Sequence, residues 1–503
     1  MTLTPDFPDF AQKFDRGENQ LVYTRFAADL DTPVSVMLKL ASAKRNSFIL
    51  ESVTGGEVRG RYSIIGMKPD LIWQCRGEQS SINRTARFED DAFTNLDGHP
   101  LDTLRALMAE SKIDIPADLP SAAAGLFGFL GYDMIRLVEH LPNVNPDPLG
   151  LPDAVMMRPS VVAVLDGVKG EVILVSPAWA SSGLSAKAAY AQAAERVMDA
   201  LRDLDRPLPS SDRQLDGGEL HVGEPVSNTT KADYLASVEK AKDYIKAGDI
   251  FQVVPAQRWT QDFTAPPFSM YRSLRRTNPS PFMFFFNYGG FQVTGASPEI
   301  LVRVMDGEVT VRPIAGTRPR GKTVAEDKAL EVDLMSDQKE LAEHLMLLDL
   351  GRNDVGRVAK IGTVRPTEEF TVERYSHVMH IVSNVVGELA EEEDALSALL
   401  AGLPAGTLSG APKVRAMEII DELEPEKRGV YGGGCGYLSA NGEMDICIAL
   451  RTAVIKDGKL YSQAGGGVVY DSVPEAEWQE TVNKAKAVWA AAENAGRFTG
   501  RIN

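Results

Sequence analysis

The chain has 503 residues, of which 44% are hydrophobic and 24% charged, as is typical of a soluble globular protein with two or three domains. Its net charge of −17 argues against nucleic acids and anionic membranes as partners, so an anionic substrate would need local Arg and Lys side chains. Three cysteines without a CxxC pair predict neither a disulfide framework nor a zinc site. Without a signal peptide or an apolar run of ~18 residues, we expect a cytoplasmic protein that does not span a membrane.

Residues 1–205 form the first predicted domain and are rich in short apolar or alternating runs that predict strands, such as YSIIGM at residues 62–67. A helix is predicted from Ser185 to Leu204. Turn dipeptides lie between strand-like runs at Asp166-Gly167, Asp306-Gly307, Asn441-Gly442 and Asp457-Gly458. So many hairpins indicate antiparallel sheets with interspersed helices, an α+β fold, and argue against a doubly wound parallel sheet.

Residues 206–228 are polar and rich in Pro, Gly and Ser, which predicts a linker. The second predicted domain, residues 229–503, opens with a helix. Thr230 and the amide of Asp233 are expected to cap this helix, and Gly248 is expected to end it.

The stretch from Ser336 to Val358 predicts a second helix followed by a turn. The helix is expected to end abruptly at Gly351, where a C-cap and the turn begin. Its acidic face carries Glu340 and Glu343, with His344 at the edge of that face. Three leucines at i, i+4 and i+7 form the apolar stripe expected to face the core: Leu341, Leu345 and Leu348.

A third helix, near the C-terminus, has the same design and runs from Ser472 to Trp489. Ser472 and Glu475 match a capping box, and Pro474 lies in the first turn. The expected buried stripe is Trp478, Val482, Ala485 and Trp489. Another face carries Glu477, Glu480 and Lys484. Two carboxylate-bearing helices can hold a hard cation such as Mg²⁺ between them, although either helix alone is better explained by a solvated Glu face.

Four glycine-bearing motifs lie in the second half, at residues 313–321, 404–413, 431–438 and 463–472. None has the spacing of a P-loop or a dinucleotide fingerprint, and each alone is more often a tight turn or bulge. Together they are typical of backbone amides placed close to an anion. Three arginines can add forked donors for carboxylates: Arg318, Arg320 and Arg451. His377 and His380 only modestly raise the odds of a proton-transfer role.

These residues, in this order, resemble the chorismate-utilising enzymes, and nearly the whole chain is similar to the large subunits of anthranilate synthases among them. The motifs that carry the resemblance include ILES, GYDMIRLVEHLP, GASPEILVR, PIAGTRPRG, KELAEHLMLLDLGRNDVGRV, YSHVMHIVS, AGTLSGAPKVRAMEII, YGGGCGY, CIALRTA, QAGGGVV and EWQETVNKAKA. The resemblance implies two antiparallel sheets in an α/β/β/α sandwich, with a strand-rich N-terminal regulatory part.

The resemblance also assigns site residues. It implies Glu343 and Glu480 as Mg²⁺ ligands, with Glu340 and Glu477 as supporting acids behind them. The implied catalytic residues are Glu299 as general acid, His380 in a later aromatising step, Gln252 and Thr407. The implied chorismate-binding residues are Gly316, Thr317, Tyr431, Arg451, Gly465, Gly466, Gly467 and Lys484. Position 466 is usually Ala in such large subunits, a difference of one methyl group that leaves the assignment intact.

The reaction implied is the addition of ammonia to C2 of chorismate with loss of the C4 hydroxyl, followed by loss of pyruvate to give anthranilate. This is the first step of tryptophan biosynthesis. No glutaminase domain is recognisable, because Cys435 fits a small core residue better than a nucleophile. We therefore expect a separate glutaminase subunit, ammonia or glutamine as nitrogen source, and a hetero-oligomer.

Two alternatives remain open within this resemblance. Related enzymes that add water carry Lys at the position of Gln252, and many aminodeoxychorismate synthases carry Lys at the position of Ala315. Both lysines are absent here, which favours direct amination, since ammonia needs no base. A non-catalytic tryptophan sensor on the same fold is the alternative from another class, and the intact acids argue against it.

The resemblance finally implies feedback inhibition by L-tryptophan. The implied site comprises Glu51, Ser52, Pro281, Phe282 and Met283. Without the resemblance, these residues would be read as a strand end and a proline-stiffened turn. Met and Phe can form an apolar wall for an indole ring, while Ser and backbone groups hold the ammonium and carboxylate groups.

Overall fold

The computed structural model describes residues 2–41, 44–53, 60–208, 221–375 and 378–499. Its helices, numbered in chain order, are α1 Phe7–Phe14, α2 Pro33–Leu40, α3 Pro100–Glu110, α4 Ala186–Leu204, α5 Lys231–Ala247, α6 Pro267–Thr277, α7 Val324–Ser336, α8 Gln338–Gly356, α9 Ala395–Gly402, α10 Lys413–Leu423 and α11 Pro474–Asn494. Within the described ranges, none of these helices combines the length and apolarity needed to cross a bilayer.

The strands before the predicted linker are β1 Gln20–Ala27, β2 Ser47–Glu51, β3 Tyr62–Arg76, β4 Gln79–Asn83, β5 Thr94–Asn95, β6 Gly125–Leu130, β7 Ala154–Asp166 and β8 Glu171–Ala178. The later strands are β9 Val226–Ser227, β10 Gln252–Val253, β11 Ala256–Asp262, β12 Phe282–Asn287, β13 Gln292–Ser297, β14 Ile300–Met305, β15 Glu308–Val311, β16 Ile314–Pro319, β17 Arg365–Arg374, β18 Val378–Glu388, β19 Gly410–Ala411, β20 Gly434–Ser439, β21 Met444–Ile448, β22 Thr452–Lys456 and β23 Lys459–Gly465.

These strands form a 21-stranded hydrogen-bonded network and a separate two-stranded pair, β10 with β19. The ladders that build the network are antiparallel, and the four predicted turn dipeptides connect β7 to β8, β14 to β15, β20 to β21 and β22 to β23. Antiparallel sheets with interspersed helices are therefore confirmed. The hairpins explain the pattern, because a short turn can join only antiparallel neighbours.

The strands on either side of the predicted linker share ladders. β2 pairs with β12, which places Glu51 opposite Met283, and β6 pairs with β20, which places Phe129 opposite Cys435. The hydrophobic core crosses the same boundary, since the Phe48 ring lies 5.6 Å from the Phe286 ring. The first 205 residues thus complete a sheet and a core with residues from beyond the linker. Within the linker, residues 209–220 lie outside the described part of the chain.

Helix α4 matches its predicted range, and α5 begins and ends where its capping residues predict. Ser185 caps α4, and the Thr230 hydroxyl accepts a hydrogen bond from the Asp233 amide at the start of α5. Gly248 ends α5 in the left-handed conformation, with φ of +84°. Local hydrogen bonding explains this success, because each cap involves residues only a few positions apart.

The predicted stop of α8 at Gly351 is wrong, because the helix continues to Gly356. Gly351 is buried beside Val311 and Pro313, at distances that would leave room for a Cβ atom, so the helix continues through it into the packed region. Glycine costs a helix interior about 1 kcal/mol, which burial of this face offsets. The predicted stripe is also wrong at Leu345, which is 50% exposed. The buried positions of α8 are His344, Leu347, Leu348, Gly351, Asp354 and Val355.

The C-terminal helix α11 lacks the predicted capping box. Its N-cap is Val473, and the Ser472 hydroxyl instead accepts a hydrogen bond from the Val469 amide at 3.0 Å. Glu475 forms an ion pair with Lys231 on α5. The helix also continues beyond Trp489 to Asn494. The tight turn before α11 and the contact with α5 therefore outcompete the local capping pattern. Pro474 lies in the first turn, as predicted.

Candidate active site

The carboxyl group of Glu299 lies in the short connection between β13 and β14 and is almost fully buried, at 7% exposure. The Thr407 hydroxyl lies 3.4 and 3.5 Å from its two oxygens. Burial raises the pKa of Glu299 to about 8, although Thr407, the Ile314 amide and the positive charges of Arg451 and Lys484 oppose the shift. Glu299 is therefore a proton-carrying acid at neutral pH, which is the state a general acid needs.

The ring of His380 lies on β18 against a bulge in β16 at Gly316, whose φ is +67°. The Nδ1 atom lies 3.0 Å from the Gly316 carbonyl oxygen and 3.1 Å from the Thr317 hydroxyl. Because a carbonyl can only accept, Nδ1 carries the hydrogen and Nε2 keeps its lone pair. Burial lowers the pKa of His380, and the charge of Arg451 lowers it further against the Gly316 carbonyl. The imidazole is thus neutral and can accept a proton at Nε2.

The guanidinium group of Arg451 lies between β21 and β22, and its charge interacts with Glu299. Across the described ranges, no hydrogen bond or ion pair involves this guanidinium, so its forked donors are available to a ligand carboxylate. Arg318 and Arg320 differ from Arg451 because carboxylates of the chain already bind them. Their partners are Asp333, Asp337 and Glu340 for Arg318, and Asp327 for Arg320. Of the three arginines predicted to bind ligand carboxylates, only Arg451 has a guanidinium group without a partner in the part of the chain that the structure describes.

The glycine run at residues 465–467 connects β23 to the turn before α11. The Lys484 ammonium donates to the Gly465 carbonyl oxygen at 2.9 Å and pairs with Glu480 at 2.8 Å. Burial raises the pKa of the Tyr431 hydroxyl to about 12, and the nearby Arg428 charge and Gly465 amide oppose this shift. A Cβ atom on Gly467 would lie 2.6 Å from Nε2 of Gln252, so the Gln252 amide lies directly against the glycine run. The structure therefore brings Gln252, Tyr431 and Lys484 together around the glycine run.

Four acids from two helices converge at one end of this region. Glu340 and Glu343 lie on α8, and Glu477 and Glu480 lie on α11. Burial raises the pKa of Glu343 to about 7, and the negative charges of the other three acids add to the shift, against the effect of Lys339. The predicted pairing of the two carboxylate-bearing helices is therefore present in the structure.

The chemistry of these four acids fits a hard divalent cation. Oε2 of Glu477 is buried without a hydrogen-bond partner, and carboxylate oxygens are the ligands that Mg²⁺ prefers. A Cβ atom on Gly466 would lie 3.2 Å from this oxygen, so glycine at this position leaves more room beside it than alanine would. Within the described ranges, no group of three or more His, Cys, Asp or Glu side chains is arranged as a metal site. The described residues therefore supply carboxylate oxygens suited to a hard cation, without forming a complete ligand set.

A second site is a cavity of about 670 Å³ between strands from both sides of the linker. All five residues predicted for tryptophan binding line it: Glu51, Ser52, Pro281, Phe282 and Met283. Glu51 forms an ion pair with Arg275, and burial raises the pKa of Glu51 against this pairing. The pairing of β2 with β12 explains how residues so distant in sequence share one wall.

Comparison with known proteins agrees with this arrangement. The sequence profile of the chorismate binding enzyme family matches residues 64–490. Anthranilate synthase component 1 of Cereibacter sphaeroides is 77% identical over 496 residues, covering 98% of this chain and 99% of that protein. The corresponding protein of Pseudomonas aeruginosa is 52% identical, covering 92% and 93%.

The chain belongs to the anthranilate synthase component 1 family of chorismate binding enzymes.

Solved structures agree with this family assignment. Anthranilate synthase component I from Streptococcus pneumoniae superposes with a TM-score of 0.75 at 41% identity, covering 87% of this chain and 94% of that chain. The menaquinone-specific isochorismate synthase of Escherichia coli, at 20% identity, has a TM-score of 0.71 over 97% of this chain and 98% of that chain. Because its identity is only 20%, the likeness to the isochorismate synthase concerns the fold alone.

Most of the residues that line this cavity are not predicted from the sequence of this component 1 chain, and three of them illustrate the reason. Cys435, Tyr437 and Asp445 come from β20 and β21 and line the 670 Å³ cavity. Alternation along YGGGCGY is the only sequence signal, and its glycines obscure that alternation. Cys435 is a buried residue, as predicted, and burial raises the pKa of its thiol.

The predictions made for two further histidines, His344 and His377, have different outcomes. His344, predicted at the edge of an acidic face, is fully buried instead. Its Nε2 lies 2.7 Å from the Ser383 hydroxyl, and burial lowers its pKa to about 4. The sequence prediction failed because the acidic face of α8 is narrower than a helical wheel suggests. His377 lies outside the described residues.

Proposed function

We propose that this chain is the large subunit of an anthranilate synthase, a lyase that converts chorismate and ammonia into anthranilate and pyruvate. The observation that carries the proposal is Gln252, which lies against Gly467 where related water-adding enzymes have a lysine. Its neutral amide cannot act as a base for water, whereas ammonia needs none. Position 315 is Ala, so the chain also lacks the lysine nucleophile of many aminodeoxychorismate synthases.

The side chains divide the work between binding and proton transfer. Arg451 and Lys484 supply positive charge for the two substrate carboxylates, and amides of the run 465–467 hold one end of the substrate. Glu299 carries a proton at neutral pH and donates it to the departing C4 hydroxyl. After C–N bond formation, Nε2 of His380 accepts a proton in the aromatising step, in which pyruvate leaves. Thr407 orients the Glu299 carboxyl throughout.

Glu343 and Glu480 are proposed to hold one Mg²⁺ between α8 and α11, supported by Glu340 and Glu477. When bound, Mg²⁺ supplies Lewis-acid stabilisation of negative charge on the substrate. The convergence of the four acids and the buried unpartnered oxygen of Glu477 support this assignment.

Further parts of the proposal concern partners and organisation. The relatives are named component 1, which supports a separate glutaminase subunit as ammonia source and a hetero-oligomer. The 670 Å³ cavity supports L-tryptophan as feedback inhibitor. A cytoplasmic location is also proposed, and the free cysteines Cys75, Cys435 and Cys447 support it. We also propose that the strand network folds as an α/β/β/α sandwich, with residues 1–205 as a regulatory part, 206–228 as linker and 229–503 as catalytic part.

The experiment that tests the function is product identification from chorismate with Mg²⁺, with and without ammonium salt. Anthranilate, detected by fluorescence and mass, is expected only when ammonium is present. Isochorismate or a 4-amino product would overturn the proposal in favour of a related synthase. No turnover under any condition, with retained tryptophan binding, would favour a sensor.

A further inference from the structure

Arg428 is a buried arginine that follows α10 and lies outside the site residues named above. Its guanidinium donates to the Leu408 carbonyl oxygen at 2.5 Å and to the Val254 carbonyl oxygen at 2.6 Å. Nε donates to the two carboxylate oxygens of Glu424 at 3.1 and 3.0 Å. Glu424 in turn accepts from the Ala256 amide at 2.8 Å. One side chain therefore connects the chain around residues 254–256 to the chain around residue 408.

The two carbonyl groups lie at the end of the small β10–β19 pair. The last backbone bond of this pair is donated by the Val254 amide to the Ser409 carbonyl oxygen, at 3.0 Å. Beyond it, the carbonyl groups of Val254 and Leu408 have no strand partner in the pair, and Arg428 supplies their donors. Without that side chain, two buried carbonyl groups would lose their hydrogen bonds, which is costly because they would be left without donors.

The segments joined in this way carry the active-site groups. Thr407, which contacts Glu299, directly precedes Leu408, and Gln252 lies in β10 itself. Val253 exchanges backbone hydrogen bonds of 3.2 and 2.8 Å with Val468, and the Gly466 amide donates to the Pro255 carbonyl oxygen at 3.2 Å. The substrate-facing glycine run is therefore attached to the segment that Arg428 holds.

Aromatic rings flank the same guanidinium. It lies 4.8 Å from the ring centre of Tyr132 and 5.6 Å from that of Tyr431, a predicted substrate-binding residue. Stacking on aromatic rings fixes the plane of the guanidinium, and the rigid fork of its donors fixes the direction of each hydrogen bond. A lysine at this position has neither property.

We propose that Arg428 is a positioning residue for the reaction, which sets the distance between Thr407, the segment carrying Gln252 and Tyr431. This inference rests on the proposed function. Arg428 does not contact the substrate, and it acts through Thr407 on the orientation of the Glu299 carboxyl group and through Tyr431 and the glycine run on substrate binding.

The test compares Arg428→Lys with a matched control, Arg136→Lys. Arg136 is also largely buried and pairs with Asp133 at 2.7 Å and with Asp421 of α10 at 2.7 Å. Both variants are expected to lower the melting temperature. Only Arg428→Lys should also lower kcat/KM for chorismate, by about ten-fold or more, since a small misplacement of reacting groups can cost about 100-fold.

A double-mutant cycle separates positioning from general loss of structure. Arg428→Lys and Thr407→Ala are measured singly and together, as are Arg136→Lys and Thr407→Ala. If Arg428 acts through Thr407, the combined variant loses less kcat/KM than the product of the two single losses. For Arg136→Lys combined with Thr407→Ala, the two single losses of kcat/KM should multiply. Multiplication for Arg428 as well, or unchanged kcat/KM in Arg428→Lys, would overturn the inference.

A second variant keeps the test informative if Arg428→Lys does not fold. Tyr132→Leu removes one flanking ring and leaves every hydrogen bond of Arg428 in place. A few-fold loss of kcat/KM that becomes smaller in the Thr407→Ala background is expected, and an undiminished loss in that background would contradict the inference. Failure of the proposed function can be distinguished from failure of this inference. If the proposed function were wrong, the parent protein would form no anthranilate at all.

Discussion

The proton affinity of Glu299 is a property that no short stretch of sequence carries. Its motif, GASPE, names the residue but says nothing about its surroundings. The pKa of about 8 arises from burial between β13 and β14, and the groups that oppose the shift come from distant elements. Sequence comparison could therefore assign Glu299 a role, whereas only the packed structure explains why it holds a proton.

The first prediction concerns Glu299 and the pH dependence of stability. Its folded-state pKa of about 8 lies above the roughly 4.3 expected for an unfolded chain, so the folded protein binds the proton more tightly. The resulting stabilisation is complete below the unfolded value and is lost as pH rises through about 8. Glu299→Gln, which cannot lose a proton, should match the parent in melting temperature near pH 5 and exceed it by a few degrees near pH 9.

The control for this prediction is Glu493→Gln, an exposed change on α11. Differential scanning calorimetry across pH 5–9 should show no pH-dependent difference between this control and the parent. A constant offset between Glu299→Gln and the parent at all pH values would contradict the assigned proton affinity. Glu299→Gln should also form no anthranilate, because a primary amide cannot protonate the leaving hydroxyl.

At the scale of elements, capping residues predicted the ends of α5 well, and turn dipeptides predicted the hairpins. Both signals depend on contacts within a few residues. The ends of α8 and α11 were missed because tertiary contacts decide them: Gly351 packs against the β15–β16 region, and Ser472 belongs to a turn. The acidic faces of both helices were nevertheless recognised, since spacing alone places those residues on one side.

The second prediction concerns the pair formed by α8 and α11. Glu343→Gln should abolish the heat of Mg²⁺ binding in titration calorimetry and lower turnover on the order of 100-fold, as with other lost electrostatic stabilisers. Glu475→Gln, an exposed change on α11, is the matched control and should leave both quantities near those of the parent. Wild-type Mg²⁺ binding in Glu343→Gln would show that the cation lies elsewhere.

At the scale of the whole molecule, composition and hairpin pattern predicted the α+β class and the antiparallel pairing. The sharing of ladders across residues 206–228 was not predictable, because strand partners far apart in sequence leave no local signal. The cavity wall that β2 and β12 form together follows from that pairing. Its walls come from stretches whose sequences, taken singly, indicate an ordinary strand end and a turn.

The third prediction tests this cavity. Ser52→Phe would fill part of it, so tryptophan binding measured by calorimetry should weaken by about ten-fold or more, equivalent to about 1.4 kcal/mol. The uninhibited rate should remain near that of the parent, and Ser182→Phe, an exposed change in the same half, should alter neither quantity. By linkage, chorismate should weaken tryptophan binding by the factor with which tryptophan weakens chorismate binding. Unchanged tryptophan affinity in Ser52→Phe would exclude this placement.

The fourth prediction concerns the nitrogen source of the isolated chain. Ammonium salts should support anthranilate formation by the purified chain, and glutamine should not until a glutaminase subunit is added. The reason is that the named catalytic groups act on chorismate and none is a nucleophile for an amide. Glutamine-dependent turnover without a second chain, confirmed by mass spectrometry of the preparation, would refute the proposed division between subunits.

The interleaved ladders also govern events during synthesis on the ribosome. β6 ends at Leu130, and its partner strand β20 begins at Gly434. At a synthesis rate of roughly 5–20 residues per second, β20 therefore emerges about 15 to 60 s after β6. During that interval β6 can pair with β7, but the edge of GLFGFL that β20 later covers has no strand partner, and unpaired strand edges are surfaces that chaperones protect. Ribosomes stalled before residue 434 should therefore carry chains that are protease-sensitive at β6 and chaperone-bound, and release of the completed chain should end both states.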